Sequence, residues 1–193
     1  TRTWLNSLGA EWRNEVQLGY YNNVSTSWYQ PLDTAQRFFV EPKAFWIRSW
    51  NDIFLDNERI ATYRFSDWGG AVDLGANLSD DAQLRVGYLY TKRKTSVDTG
   101  SPLLPERDRN DAGITATATF DSRDTAFNPT RGIAAALEYI YADDSLGGDV
   151  DWERIEAGVG LALPVRKDVV WMTLAGGSDL GSDLPLDRTF MLG

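Results

Sequence analysis

Residues 111–141 read DAGITATATF DSRDTAFNPT RGIAAALEYI Y, and this stretch decides how the rest of the chain is interpreted. It consists of two alternating segments around a polar link, Ser122 to Arg131. In the first segment Ala112, Ile114, Ala116, Ala118 and Phe120 share one parity, and Asp111, Gly113, Thr115, Thr117 and Thr119 the other. Strand side chains alternate with a period of two, so the spacing predicts a strand with one apolar and one polar face. In the second segment Ile133, Ala135, Leu137, Tyr139 and Tyr141 form the apolar row, and the opposite row is small and partly polar around Glu138. A patch of this kind suits a soluble sandwich as well as a membrane barrel, so the pattern has to be followed outward.

Toward the N-terminus the alternation continues. Leu84, Val86, Tyr88 and Tyr90 oppose Gln83, Arg85, Gly87 and Thr91, and Ser79-Asp80-Asp81 is a short polar turn before them. Residues 59–78 form a long strand candidate whose apolar phase switches, from odd Ala61, Tyr63 and Phe65 to even Val72, Leu74, Ala76 and Leu78. A bulge near Trp68-Gly69-Gly70 would absorb one extra residue. Residues 37–54 carry Phe38, Val40, Trp46, Trp50 and Phe54 in one register, with a turn at Asp56-Asn57-Glu58. Earlier still, Trp12, Val16, Leu18 and Tyr20 oppose Arg13, Glu15, Gln17 and Gly19. Asn22-Asn23 is a hairpin signal because Asn tolerates positive backbone dihedrals. Residues 24–30 return and Pro31-Leu32-Asp33 ends them, while Thr1 to Asn6 reads as the tail of a first strand.

Toward the C-terminus, Ile155, Ala157, Val159, Leu161 and Leu163 oppose Trp152, Arg154, Glu156, Gly158 and Gly160. A turn at Pro164 to Lys167 leads to a last strand, residues 168–177, and then a loop. Ten strands result. Connections tend to alternate, short after Asn6, Leu78 and Leu163 and longer after Lys94, Ala142 and Gly177, as in outer-membrane barrels; the long link Ser122 to Arg131 on the short side and the tight Asn22-Asn23 on the long side are exceptions. Residues 95–109 are expected to be the longest irregular stretch. Several candidates exceed the roughly five or six residues usual in soluble sheets and reach the ~9–11 of a membrane strand. The fold expected is an all-β antiparallel transmembrane barrel, with residues 1–193 a single partial domain.

Composition narrows the function. With 24% charged residues, no run approaches the roughly 20 apolar residues of a spanning helix, which excludes a helical membrane protein. A net charge of −9 argues against a nucleic-acid partner. Eight Trp and eight Tyr are the residue types favoured at a bilayer interface. Zero cysteines suit passage through an oxidising compartment without disulfides. No signal-peptide pattern stands at Thr1, so the sequence reads as a segment of something longer.

Two motifs carry a resemblance. Phe120-Asp121-Ser122-Arg123-Asp124 with Phe127-Asn128-Pro129-Thr130-Arg131-Gly132 resembles the D-x-R-D…P-T-x-G link of the surface-antigen superfamily of outer-membrane barrels, which holds barrel-assembly proteins and two-partner secretion transporters. Leu184-Pro185-Leu186-Asp187-Arg188-Thr189-Phe190-Met191-Leu192-Gly193 is similar to the segment preceding that family's inward-folded loop. The loop's tip arginine has no counterpart among these residues, so none is carried over. The resemblance implies a sixteen-stranded barrel, of which the ten strands would be the second to the eleventh. It also singles out Asp121, Arg123, Asp124, Pro129, Arg131 and Gly132 as the structural family motif. At finer grain, residues 2–6, 11–15, 29–33 and 38–42 resemble the C-terminal barrel of bacterial patatin-like type V autotransporters. That likeness implies a bacterial outer-membrane location and an anchor or translocator role. The partners would be outer-membrane lipid and either a lipase passenger in cis or a secreted client. A barrel serving a separate client, or a soluble β-rich binding module, are the alternatives.

Catalysis within the segment is not expected. There is no histidine for a Ser-His-Asp arrangement, and Gly176-Gly177-Ser178-Asp179-Leu180-Gly181 lacks the spacing of a nucleophile elbow. Asp143, Asp144, Asp149 and Asp151 could offer oxygen ligands to a hard cation; a solvated acidic loop is the plainer reading and the one adopted, with no metal and no cofactor. Arg123, Asp124 and Arg131 are expected to hold their connection in shape. The rows with Arg13, Glu15, Gln17, Arg85, Arg154 and Glu156 should face a hydrated lumen of mixed sign.

Overall fold

The computed structural model describes residues 1–55, 58–101, 106–185 and 188. Nine strands follow one another in the chain and in space: β1 Glu11–Gln17, β2 Tyr21–Pro31, β3 Phe38–Leu55, β4 Glu58–Asn77, β5 Ala82–Thr99, β6 Arg107–Asp121, β7 Gly132–Ala142, β8 Trp152–Val165 and β9 Asp168–Ser178. Each pairs antiparallel with its sequence neighbour in a single sheet, order β1 to β9. No described helix is long and apolar enough to cross a membrane.

Register fixes the faces. Trp12↔Trp28, Val24↔Trp46, Trp46↔Trp68, Leu74↔Val86, Tyr88↔Ile114, Ala116↔Tyr139, Leu137↔Ala157 and Val159↔Leu174 are successive partners. The apolar row of every strand therefore lands on the same face, which is the exposed one: Val16, Val72, Leu74, Val86 and Leu174 are all exposed. The apolar row that starts at Trp68 on β4 ends at Leu78 just after the strand, about 33 Å away at ~3.3 Å per residue. With the usual tilt of ~35–45° this matches an apolar band about 25 Å tall. The opposite face is charged and largely buried: Glu41, Asp67, Arg93, Arg109 and Asp111 are each below 9% exposed. Such an inside-out distribution is that of a barrel wall, apolar outside and polar within.

The phase switch on β4 has a different cause from the one the sequence suggested. Register is continuous through Trp68↔Trp46, Gly69↔Phe45 and Gly70↔Ala44, so no bulge lies there. The strand leaves the apolar band at Trp68, and beyond it the outer positions are polar, Arg64 and Ser66, while Phe65 and Tyr63 turn inward. The irregularities sit farther out: Ile60 is the extra residue between Ile53↔Ala61 and Phe54↔Arg59, and Asp98 between Tyr63↔Val97 and Thr62↔Thr99.

Several boundaries also move. Thr1 to Asn6 makes only the isolated bridge Arg2↔Trp12, so nine strands form among the described residues where ten were expected. Asn22 and Asn23 are not the hairpin but the start of β2; the turn is Leu18-Gly19-Tyr20, with Gly19 at φ 151°. Asn22 serves it by its side chain, whose Oδ1 accepts the Gly19 N–H at 3.0 Å. β5 continues to Thr99 and β6 begins at Arg107, so the irregular stretch is shorter than expected. Its Pro102 and Pro105, like Asp56-Asn57, lie outside the described residues. Pro164 and Val165 belong to β8, and the turn is Arg166-Lys167, with Arg166 at φ 59°. The β2–β3 pairs run to Ser27↔Lys43 and resume at Gln30↔Val40; the gap falls at Pro42, which has no N–H for the ladder.

Candidate functional site

Three polar constructions stand on this scaffold: two on the inner wall and one in the connection between β6 and β7. The first inner cluster is centred on Glu41 of β3. Its carboxylate accepts Ser27 Oγ and Arg85 Nη1, both at 2.7 Å, and Arg13 approaches to 3.6 Å. Arg85 also donates to Gln83 and lies 3.8 Å from Asp73, and Arg13 pairs with Glu11 at 2.8 Å. Both guanidinium groups are stacked on aromatics, Arg13 at 4.7 Å from the Tyr29 ring and Arg85 at 4.8 Å from Phe39. Phe39 is fully buried, and Gly75, its register partner, makes room: a Cβ there would stand 2.0 Å from Phe39 Cζ.

Toward the end of the wall away from the Ser79-Asp80-Asp81 turn, Arg93 forks onto Asp67, with Nε to Oδ1 at 2.7 Å and a second, very short contact from Nη2 to Oδ2. Arg109 forks onto Asp111 at 2.7 and 3.0 Å, and Arg188 adds a third donor to Asp111 at 2.9 Å. The residues after β9 thus return to the inner wall. Leu184 packs on the buried Ile140, Ala142 and Trp152; Ser182 exchanges hydrogen bonds with the Glu153 backbone; Arg188 lies 5.6 Å over the Trp152 ring. Of the segment 184–193 that motivated a resemblance, residues 186–187 and 189–193 lie outside the described residues.

Arg13, Glu15, Gln17, Arg85, Arg154 and Glu156 all fall at inward positions of the register. The sequence reading missed Glu41, Asp67, Asp73 and Arg93, although each sits opposite an apolar neighbour in the alternation. The signal was parity, and it was obscured by inward aromatics such as Phe39 and Phe65.

The third construction is the β6–β7 connection. Asp121 Oδ1 and Oδ2 accept Arg123 Nε and Nη2 at 2.9 and 2.7 Å, and Oδ1 also accepts the Arg123 N–H. Asp124 accepts the N–H groups of Thr130 and Arg131 and the Thr130 hydroxyl. These bonds, led by the Thr130 hydroxyl, hold its carboxyl below the usual carboxylate range. Ser122 closes the base by bonding Ile133 in both directions. Pro129 is buried within the connection, and Phe127 is 89% exposed. Gly132 has φ 111°, and a Cβ on it would meet Ser122 O at 2.5 Å, so both backbone and space require glycine. Arg131 contributes backbone only; among the described residues its guanidinium forms no ion pair.

The acidic loop after β7 spends its carboxylates locally. Asp143 accepts Ser145 N–H at 2.9 Å and Tyr141 Oη at 2.6 Å, and its pKa is lowered first by the Ser145 hydroxyl and next by Tyr141. Asp151 accepts Asp144 N–H, and Asp149 leaves the group to accept Asn110 N–H at 2.6 Å. Of these four aspartates, Asp143, Asp144 and Asp151 bring oxygens within 4.8 Å of one another. All of these bonds stitch the loop to itself and to the edge of β6.

The description that matches the chain is the Omp85 superfamily domain, over residues 6–193. No curated protein matches it.

Proposed function

The chain belongs to the Omp85 superfamily, and from that premise we propose that it is a single partial barrel domain of the bacterial outer membrane. Its role in this reading is anchor and translocator for an N-terminal patatin-like phospholipase passenger in type V secretion. Superfamily domains are outer-membrane transport and assembly barrels and not enzymes, so any lipase chemistry belongs to residues outside this segment. The observation that carries the barrel reading is the register itself. One antiparallel sheet keeps its apolar row outward on all nine strands and buries five charged residues, Glu41, Asp67, Arg93, Arg109 and Asp111, on the other face. A soluble module would expose an apolar surface far beyond the few hundred Å² a monomer tolerates.

The passenger is supported by the likeness of residues 2–6, 11–15, 29–33 and 38–42 to patatin-linked barrels. In this account Asp121, Arg123, Asp124, Pro129, Arg131 and Gly132 brace the periplasmic β6–β7 connection and touch no substrate. Outer-membrane lipid surrounds the belt, and the passenger is delivered across or beside the lumen. The test is phospholipid hydrolysis by the full-length protein on phosphatidylglycerol vesicles, together with protease accessibility of the passenger on intact cells. Hydrolysis and surface cleavage are expected. Tandem periplasmic domains without hydrolysis would instead indicate an assembly factor or a two-partner transporter.

A further inference from the structure

At the end of the wall away from the short turns Ser79-Asp80-Asp81 and Arg166-Lys167, the apolar row of β4 ends at Trp68, in a row of register partners Val24, Trp46, Trp68 and Lys92, while β3 carries a further outward aromatic, Trp50, beyond that row. The next row outward is Asn22, Arg48, Ser66 and Lys94. Strands lie about 4.8 Å apart and residues about 3.3 Å along them, so the Cα positions of Arg48, Lys92 and Lys94 fall within about 12 Å of one another on the outer surface. Two of the three are seated on the indoles beneath them: Arg48 lies 4.8 Å over the Trp46 ring and Lys92 5.9 Å over Trp68.

Two cations farther out on this surface are neutralised. Arg64, one row farther from the membrane, pairs with Asp98 at 3.3 Å, and Arg59, farther still, with Asp52 at 3.5 Å. Among the described residues Arg48, Lys92 and Lys94 have no ion pair, although Asp108 is the register partner of Lys94, and Arg48 Nε is a buried donor without an acceptor. In a chain of net charge −9, three unpaired cations at the border of the apolar band are a concentrated feature. Guanidinium and ammonium groups fixed over indoles, with apolar surface directly below, match a ligand that is anionic at its head and acylated beneath.

We propose that this patch binds the phosphorylated headgroup of a glycolipid in the outer leaflet, with Arg48 and Lys92 as the principal phosphate ligands, Lys94 as a third, and Trp46 and Trp68 against its acyl chains. The proposal rests on the outer-membrane reading, which places the short turns in the periplasm and this edge outside. At the opposite border of the belt the outward positions of β5 and β6 are Leu84 and Phe120.

The full-length protein, purified in detergent, would be titrated by native mass spectrometry with diphosphorylated lipid A, dephosphorylated lipid A and inorganic phosphate. The wild type should bind diphosphorylated lipid A, and the triple variant R48Q/K92Q/K94Q should lose affinity about tenfold or more. The double variant R59Q/R64Q, lacking the paired cations, and the charge-keeping R48K/K92R should bind as the wild type does. Equal binding by wild type and triple variant, equal binding of dephosphorylated lipid A, or full competition by inorganic phosphate would each overturn it. A heat-dependent electrophoretic shift, run on every sample, separates the two failures: a wild type without the shift sinks the barrel reading itself, whereas a shift without selective binding sinks only the lipid site.

Discussion

Phe39 of β3 lies directly over Gly75 of β4, so close that one methyl group at Gly75 would come within 2.0 Å of the ring. The ring in turn contacts Tyr29, centroids 4.7 Å apart, and carries the Arg85 guanidinium on its face. A residue with no side chain is thus what lets an aromatic lie flat on the inner wall, beneath the ion cluster. Gly75→Ala should cost about 1–3 kcal/mol by overpacking. Combined with Phe39→Ala it should cost less than the sum of the two single changes. Urea unfolding of the refolded protein in lipid, followed by tryptophan fluorescence, measures both; strict additivity would mean that the pair is not coupled.

Glu41 is the shared acceptor of Ser27, Arg85 and Arg13. Glu41→Gln keeps the shape and strands two cations, one of them 40% exposed, so solvent limits the loss to about 1–3 kcal/mol. Adding Arg85→Gln should restore part of it. No change in the unfolding midpoint of the single variant would show that the cluster is decoration.

Charges of both signs alternate over the inner wall, with Glu41, Asp67, Asp73 and Asp111 set against Arg13, Arg85, Arg93 and Arg109. Most are paired within 4 Å, so little net field remains to sort permeant ions. Single-channel recordings in a potassium chloride gradient should give a reversal potential near zero. A strong cation or anion preference would contradict the register-based assignment of the lumen.

The β6–β7 connection should be acid-sensitive. Asp124 has its pKa lowered in the folded connection, so its contribution is fully present above the ordinary carboxylate pKa of 3.8 and disappears as pH falls through the lowered value. Hydrogen exchange at Thr130 and Arg131 should therefore be protected at neutral pH and lose protection below that range, after correction for intrinsic rates. Asp124→Asn should remove the pH dependence of that protection. Gly132→Ala, forced to φ 111° against Ser122 O, should lower the refolding yield at every pH.

Much of this architecture is legible in the sequence because period-two alternation survives wherever one strand face meets lipid. Ile114, Ala116 and Ala118 against Thr115, Thr117 and Thr119 required nothing beyond parity. Legibility fails where the environment of a face changes partway along a strand. On β4 the outer row stops being apolar at Trp68, and inward Phe65 and Tyr63 mimic a shifted register. It fails again where a side chain serves a turn from a neighbouring strand, as Asn22 does for Gly19. The family motif was visible at Asp121 and Arg123, but the partners that define Asp124, the Thr130 hydroxyl and two backbone N–H groups, exist only once the connection folds. Arg188 meeting Asp111, 77 positions apart, had no local signal at all.

The most direct test of the barrel is made on the full-length protein in cells: separate the envelope fractions, then compare heated and unheated samples by electrophoresis. Recovery in the outer membrane with a heat-dependent change in mobility is the predicted result, since a closed sheet resists detergent until it is boiled. Recovery in the soluble periplasm with identical mobility in both samples would contradict the account, because the outward row from Trp68 to Leu78 would then have no lipid to face.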